Sequence, residues 1–307
     1  MKADTSDVVR DRCKNNFGLC AYWATKGMCT ERVVYMLANC PLACRVCDRI
    51  EAFHRCTGKR HPLESPSFKA GSILNVFQDI KGGKWEEYEP QFVSEPDTDT
   101  DGSEKDPYVV RFDNFLTEVE SSWLIEIGNE IGWTPSTVDE TGFYSEGQNT
   151  PRRSSLSAKC EPDMRCEDDP IYHAVLERIS AITGTSFHNY EAGELVKYGP
   201  RESYGVHHDY HLHDEWRPAG PRVLTILLIL SDVDEGGAAG FPDLDWLFVK
   251  PKRGQALMWS NVMSDDPTKV DNRMRHEGLP VVKGHNFVMY IWVHLYNWRK
   301  AHARECA

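Results

Sequence analysis

The chain has no long hydrophobic run. Its longest apolar stretch, Val223 to Leu230, contains Thr225 and is far too short to span a bilayer, so no transmembrane segment is expected. Positive charge is also scarce. The 307 residues carry 35 basic and 47 acidic side chains, a net charge of −12, which disfavours nucleic acids and anionic membranes as partners. The N-terminal MKADTSDVVR has no apolar core, so no signal peptide is visible, as in a trimmed or incomplete chain. No N-x-Ser/Thr site occurs, and no G-x-S-x-G nucleophile turn. Gly236–Gly237 is not a phosphate loop, because no Lys-Ser/Thr follows it. No internal repeat is present, and nothing in the sequence fixes an oligomeric state. Apolar residues, by contrast, make up 40% and aromatics 11%, enough for a packed core and against wholesale disorder.

Cysteine is abundant, and its placement is uneven. Six of the ten lie in the first 47 residues: Cys13, Cys20, Cys29, Cys40, Cys44 and Cys47. So short a segment cannot bury enough apolar surface to fold unaided and needs disulfides or a metal. Cys44 and Cys47 could share a zinc ion, but no second C-x-x-C completes a four-ligand site, and all six thiols need a partner. Disulfides are the better reading, and spacing alone does not choose their pairing.

The segment CKNNFGLCAYWATKGMCTERVVYMLANCPLACRVC resembles a ShK-type module in its cysteine spacing, its YWATKGMC centre and its NCPLAC end. The resemblance implies the pairs Cys13–Cys47, Cys20–Cys40 and Cys29–Cys44. Channel-blocking members place a Lys before the Tyr of the last helix, whereas Val34 precedes Tyr35 here. A compact docking or spacer module is therefore expected, not a channel blocker. Of the other four cysteines, Cys160 and Cys166 can close the EPDMR loop, which leaves Cys56 for Cys306 by elimination. An even count beside an extracellular-type module points to an oxidising compartment: the endoplasmic reticulum lumen, the secretory pathway or the outside of the cell.

Three regions follow. Residues 13–47 form the disulfide module. Residues 48–106 read as a connector, with HPLESPSFKAGS followed by the stretch Glu86 to Glu104, which holds eight acidic residues and no basic one. Its end, SEPDTDTDGSEKD, reads as a solvated loop without calcium-binding spacing. Residues 107–300 form the main domain. YVVRFDNF alternates as a strand, and Thr117 with Glu120 makes a capping box for the helix SSWLIEIGNEIG. Asp169–Pro170 opens the helix IYHAVLERISAIT, and Gly184 stops it. Then come short strands: LVKYG, ESYGVHHDY, RVLTILLIL, LFVKP, GQALMWS, PVVKG and NFVMYIWVHLY. Helices followed by many short strands predict an α+β domain, a sandwich or jelly roll with helices on one side.

One spacing carries chemistry. In YGVHHDYHLH, His207 and Asp209 are two apart and share a strand face, so both can reach one ion. His276 lies before another strand pair and can supply a third ligand. Two imidazoles and one carboxylate leave coordination positions open, as in non-haem Fe(II) oxygenases. An H-x-D pair alone is a weak signal. The remaining histidines His211, His213 and His294 read as loop, rim or packing residues.

Residues 107–298 resemble the prolyl 4-hydroxylase family of Fe(II)/2-oxoglutarate dioxygenases. YVVRFDNFL, LVKYGPRESYGVHHDY, GPRVLTILLILSDVDEGGAAGFP, VKPKRGQALMW, RHEGLPVVKG and WVHLY stand in family order. The resemblance implies a double-stranded β-helix with flanking helices, Fe(II), 2-oxoglutarate as co-substrate, L-ascorbate, and a peptide or protein substrate hydroxylated at proline or a similar side chain. It assigns His207, Asp209 and His276 to iron, Tyr198 and the position of Asn286 to 2-oxoglutarate, and Tyr204 and Arg222 to the catalytic pocket. Trp292 matches a tryptophan on the last core strand, where core packing explains it equally well. Two positions depart from the family: the usual Lys ten residues after the distal His is Asn286, and the usual Thr of the EGGET stretch is Ala239. Lys283 and His285 flank Asn286 but are expected on the other strand face. An inactive or altered relative acting as a binding module is therefore the alternative, and a 2-oxo acid with a smaller tail is a further one. If all ten cysteines pair, the intact mass without reductant falls ten hydrogens below the fully reduced mass, and free thiols throughout would overturn the oxidising-compartment reading.

Overall fold

In the N-terminal module, α1 (Cys20–Thr25), α2 (Met28–Glu31) and α3 (Val33–Asn39) are each too short to be stable alone. Disulfides replace the missing core: Cys13–Cys47, Cys20–Cys40 and Cys29–Cys44 pair as expected, and Met36 packs among the sulfurs. The computed structural model describes residues 13–47, 56, 65–96, 107–136, 153–162 and 164–306. The side chains of Val34 and His213 lie outside that description, as do the N-terminal lead and most of the acidic loop. Cys160 pairs with Cys166 and Cys56 with Cys306, so no cysteine is left free. Leu37 and Val46 of the module pack with Trp216 and the Cys56–Cys306 bridge, which seats the module on the larger domain.

The larger domain begins earlier than the sequence suggested. Helix α4 (Ile73–Lys81) and strand β1 (Pro90–Ser94) arise from the stretch read as a connector. Ile73, Val76, Phe77 and Ile80 form one buried helical stripe, and β1 pairs antiparallel with β2 (Val109–Phe112). The Pro, Ser and Gly residues before the helix and the acidic residues after it masked this periodicity, but the stripe is a complete amphipathic face.

Next come α5 (Glu118–Ile131), β3 (Thr134–Pro135), β4 (Leu156–Lys159) and α6 (Pro170–Thr183). The capping box at α5 is formed: Thr117 Oγ1 accepts from Glu120 N, and Thr117 N donates to Glu120 Oε2 at 2.7 Å. Asp169 accepts from the Ile171 and Tyr172 amides at the start of α6, and Gly184, at φ 67°, ends it. The remaining strands are β5 (Glu194–Tyr198), β6 (Tyr204–His207), β7 (Arg222–Ile229), β8 (Glu235–Gly236), β9 (Ala239–Phe241), β10 (Leu247–Val249), β11 (Ala256–Ser260), β12 (His276–Gly278), β13 (Val281–Lys283) and β14 (Asn286–His294). A short helix, α7 (Trp298–His302), closes the chain. Each of the seven strand-like segments read from the sequence contains a strand.

The strands build an eight-stranded sheet in the order β1-β2-β11-β7-β14-β5-β4-β3 and a four-stranded sheet in the order β10-β9-β12-β6, with β13–β8 as a separate ribbon. This is the expected jelly roll with flanking helices. Strand β7 explains the apolar run. Leu224, Ile226 and Leu228 pack under α4, α5 and α6, while Thr225 and Leu227 face the smaller sheet. Both faces of the strand are covered, so both carry apolar side chains. β14 alternates likewise: Met289, Ile291 and Val293 face the helices, and Val288, Tyr290 and Trp292 face inward. Replacing Phe77, almost wholly buried in α4, with Ala should cost about 3–5 kcal/mol in denaturant unfolding of the main domain. An unchanged midpoint would show that α4 is not part of that core.

Candidate metal centre

Strands β6 and β12 run antiparallel, with His207 opposite His276. Asp209 follows His207 by two residues and returns to the same side. The three side chains are 4%, 3% and 4% exposed, and their ligand atoms lie within 4.8 Å of one another. His207 Nε2 stands 3.7 Å from Asp209 Oδ1, and His276 Nε2 stands 3.5 Å from Asp209 Oδ2. Each imidazole has its other nitrogen on a backbone carbonyl: His207 Nδ1 at 2.9 Å from Gly205 O, and His276 Nδ1 at 3.0 Å from Met274 O. Both carbonyls hold Nδ1 as the donor and turn the Nε2 lone pairs toward the carboxylate. His276 Nε2 has no hydrogen-bond partner. Three lone-pair donors converging in a buried space are what a divalent first-row cation satisfies, and two neutral imidazoles with one carboxylate suit Fe(II).

Asp209 is held from behind. Thr225 Oγ1 donates to Asp209 Oδ2 at 2.6 Å, Asn261 Nδ2 donates to Thr225 Oγ1 at 2.8 Å, and Trp259 Nε1 donates to Asn261 Oδ1 at 3.1 Å. Every proton in this chain points toward the carboxylate, which fixes Asp209 as an acceptor with one orientation. Tyr204 stacks on the His207 ring at 3.6 Å, and Trp259 meets His276 edge-on at 4.9 Å, so the centre has aromatic walls.

The electrostatics follow from burial and proximity. Burial pushes His207 well below the usual histidine range, and the neighbouring His276 adds to this. Burial opposes charge on His276 too, but the Asp209 carboxylate outweighs it and moves this ring up. Burial alone would push Asp209 up; the two histidines, His276 foremost, hold it well below the usual carboxylate range. The carboxylate is thus ionised at neutral pH although water is nearly absent around it.

The other expected site residues divide into two groups. Tyr198 and Asn286 are register partners on β5 and β14. Both line a cavity of about 30 Å³ that His276 also lines. Asn286 Nδ2 donates to Gly237 O at 3.2 Å, while Asn286 Oδ1 and the Tyr198 hydroxyl are buried without a hydrogen-bond partner. Lys283 and His285 are exposed, as their strand position predicted, and Lys283 contacts Asp234. Arg222 is near enough to Asp209 to help hold it ionised. Its guanidinium covers the Trp292 ring at 3.9 Å and binds both oxygens of Glu191. His294 Nε2 is 2.6 Å from Glu191 Oε1, so this histidine belongs to a buried ionic cluster. Despite burial, Arg222 and His294 hold Glu191 well below the usual carboxylate range. His211 Nε2 is 3.5 Å from Arg222 Nη1 at the rim.

Sequence reasoning missed Thr225 and Asn261. A threonine inside RVLTILLIL was the available signal for the first; nothing local marked the second. It also missed Arg153, which is buried against Glu194 at 2.8 Å and lies over the outer face of Tyr204 at 4.9 Å. The Gly236–Gly237 pair serves a close approach of backbones: a Cβ on Gly236, at φ 82°, would sit 2.4 Å from Pro280 O.

Comparison with known proteins agrees with this geometry. Residues 193–294 match the 2OG-Fe(II) oxygenase superfamily, and residues 11–47 match the ShK domain-like family. Probable prolyl 4-hydroxylase 10 of Arabidopsis thaliana is 30% identical over 216 residues, which cover 63% of this chain and 71% of that protein. The rat (Rattus norvegicus) prolyl 4-hydroxylase subunit alpha-1 is 29% identical over 215 residues, 67% of this chain but 38% of that subunit. Among solved structures, a viral collagen prolyl hydroxylase from Paramecium bursaria Chlorella virus-1, in its 2OG complex, aligns with a TM-score of 0.48 at 22% identity over 63% of this chain and 97% of that one. The chain belongs to the prolyl 4-hydroxylase family of Fe(II)- and 2-oxoglutarate-dependent dioxygenases and carries a ShK-like module at its N-terminal end. Among the described residues, no helix is long and apolar enough to cross a membrane. Thr225→Val keeps the shape but removes the proton donated to Asp209. Its Fe(II) affinity by equilibrium dialysis should fall by about 10–100-fold with the fold intact, and unchanged affinity would show that the relay does not orient the carboxylate.

Proposed function

We propose that this chain hydroxylates peptidyl proline, or a similar side chain, on Fe(II) held by His207, Asp209 and His276. One observation carries the reading: three buried donors converge within 4.8 Å, each fixed from behind by a hydrogen bond. Bound iron, with a 2-oxo acid and O2, supplies the oxidation that turns a substrate C–H into C–OH while the 2-oxo acid loses CO2. The chain's own residues position and shield. Tyr204 holds the His207 ring by stacking, and Arg153 covers the outer side of Tyr204. Arg222, pinned by Glu191 over Trp292 with its charge already paired, gives a rigid surface near Asp209 on which a peptide can rest. Tyr198 and Asn286 face the co-substrate side, where the Tyr198 hydroxyl can donate or accept a hydrogen bond and Asn286 Oδ1 can only accept one. Phe241 and Trp259 beside His276 keep the reacting space dry.

A secretory or lumenal compartment fits the five disulfides, and ascorbate fits as the reductant that the family resemblance implies. Fe(II)-loaded full-length protein, given proline-rich peptides, O2 and a panel of 2-oxo acids, should add one oxygen to proline by mass spectrometry. His207→Ala should reduce this to background. Failure of every peptide and every 2-oxo acid to react, in protein shown to hold iron, would leave the chain as a binding module.

A further inference from the structure

The centre accounts for the metal, but the cavity beside it fits 2-oxoglutarate at one end only. Such a co-substrate chelates iron through its keto acid and carries a second carboxylate on its tail. The cavity is lined by His276, Asn286, Ala238 and Ala239, with Leu227 and Val288 beside them. Among the described residues, no lysine or arginine lines it. A carboxylate placed there would give up its water for apolar walls and gain no counter-charge.

Away from His276 and Glu277, the polar side chains that line the cavity carry no charge: the Asn286 amide and the Tyr198 and Tyr290 hydroxyls. Asn286 gives its amide N–H to Gly237 O, and turning the amide over would set two oxygens against each other. Its Oδ1 is left buried without a partner. That oxygen repels a carboxylate, and the second N–H of Nδ2 is the only donor Asn286 has left to offer, without charge. The nearby cations do not repair this. Lys283 and His285 are exposed, on the far face of the strand. Arg153 is close enough to Tyr198 and Tyr290 to influence their hydroxyls, yet it is held by Glu194 and lies against Tyr204, outside the cavity lining. The size agrees: about 30 Å³ has room for about one or two waters, and a short tail needs less rearrangement than a long charged one.

We propose that Asn286 and Ala239 set co-substrate choice in this chain: the cavity accepts 2-oxo acids with a short, uncharged tail and does not select for the distal carboxylate of 2-oxoglutarate. The inference rests on the iron-centred reading above. Binding, not turnover, tests it. Anaerobic calorimetry on the Fe(II)-loaded full-length protein compares pyruvate, 2-oxobutyrate and 2-oxoglutarate. The expected result is that 2-oxobutyrate binds at least as tightly as 2-oxoglutarate. Asn286→Lys should then reverse the order by tightening 2-oxoglutarate on the order of 100-fold. A wild-type preference of about tenfold or more for 2-oxoglutarate over both uncharged acids would overturn the proposal and leave the hydroxylase reading standing. This arm needs no variant, so a poorly folding Asn286→Lys does not protect the idea. If Arg153→Gln abolished such a preference, Arg153 would be the anchor. If no 2-oxo acid binds the iron-loaded protein, the proposal and the hydroxylase reading fall together.

Discussion

The structure turns on one buried carboxylate. Asp209 sits between two imidazoles in a space with almost no water, where an unpaired charge is severely penalised. Its ionisation is tolerable only because donors point at it from every side that the chain controls. Thr225 supplies one, and Asn261 and Trp259 keep that hydroxyl turned the right way. The two histidines are fixed by carbonyls of their own strands or of the turn before them. Each of these constraints is backbone geometry: Gly205 and Met274 lie two residues from the histidines they hold, so forming β6 and β12 is also orienting the ligands.

The two-faced sheet makes this possible. β7 and β14 are apolar on both sides, but one side packs on helices and the other looks into the centre. Thr225 can therefore be buried in a run of aliphatic residues and still reach Asp209. The helices α4, α5 and α6 make the sheet rigid enough that a register difference of one residue would exchange Thr225 for Leu224 or Ile226 and lose the relay. Stability and site geometry are thus the same property at β7. The disulfide module contributes at the other end, where Leu37 and Val46 pack against Trp216 a few residues beyond the Asp209 loop.

What was legible in the sequence was what is local. His207-x-Asp209 reads correctly because strand periodicity puts both on one face, and the caps of α5 and α6 read correctly because each is written within four residues. The connector reading of residues 65–96 failed although Ile73, Val76, Phe77 and Ile80 carried the helical spacing, because composition on either side spoke more loudly than a nine-residue pattern. Asn261 could not be read at all: its partner Thr225 is 36 residues away and its other partner is an indole. Arg153 and Glu194, 41 residues apart, were invisible for the same reason. Pairings of that range belong to topology, which a single sequence does not display. The family resemblance added weight to His276, already a candidate from its place before a strand pair, and flagged Asn286 and Ala239, but it could not say what stands in the place of the missing charge.

The distribution of buried cations answers that question. Arg153 is bound to Glu194, Arg178 to Glu120, Arg222 to Glu191 and Arg299 to Glu167. In each case a guanidinium taken out of water meets a carboxylate of this same chain, so its charge is consumed internally. A ligand carboxylate competing for Arg153 would have to displace Glu194, which is itself almost wholly buried and would keep only Lys159, at 3.9 Å. The exchange replaces one buried carboxylate with another and leaves the first with the weaker partner. A cation added at Asn286 meets a single acidic side chain among the described residues of that lining, Glu277, on β12 next to His276. Which charges of the domain are already paired therefore matters as much as which it contains: among the described residues, no lysine or arginine lines the cavity at Asn286.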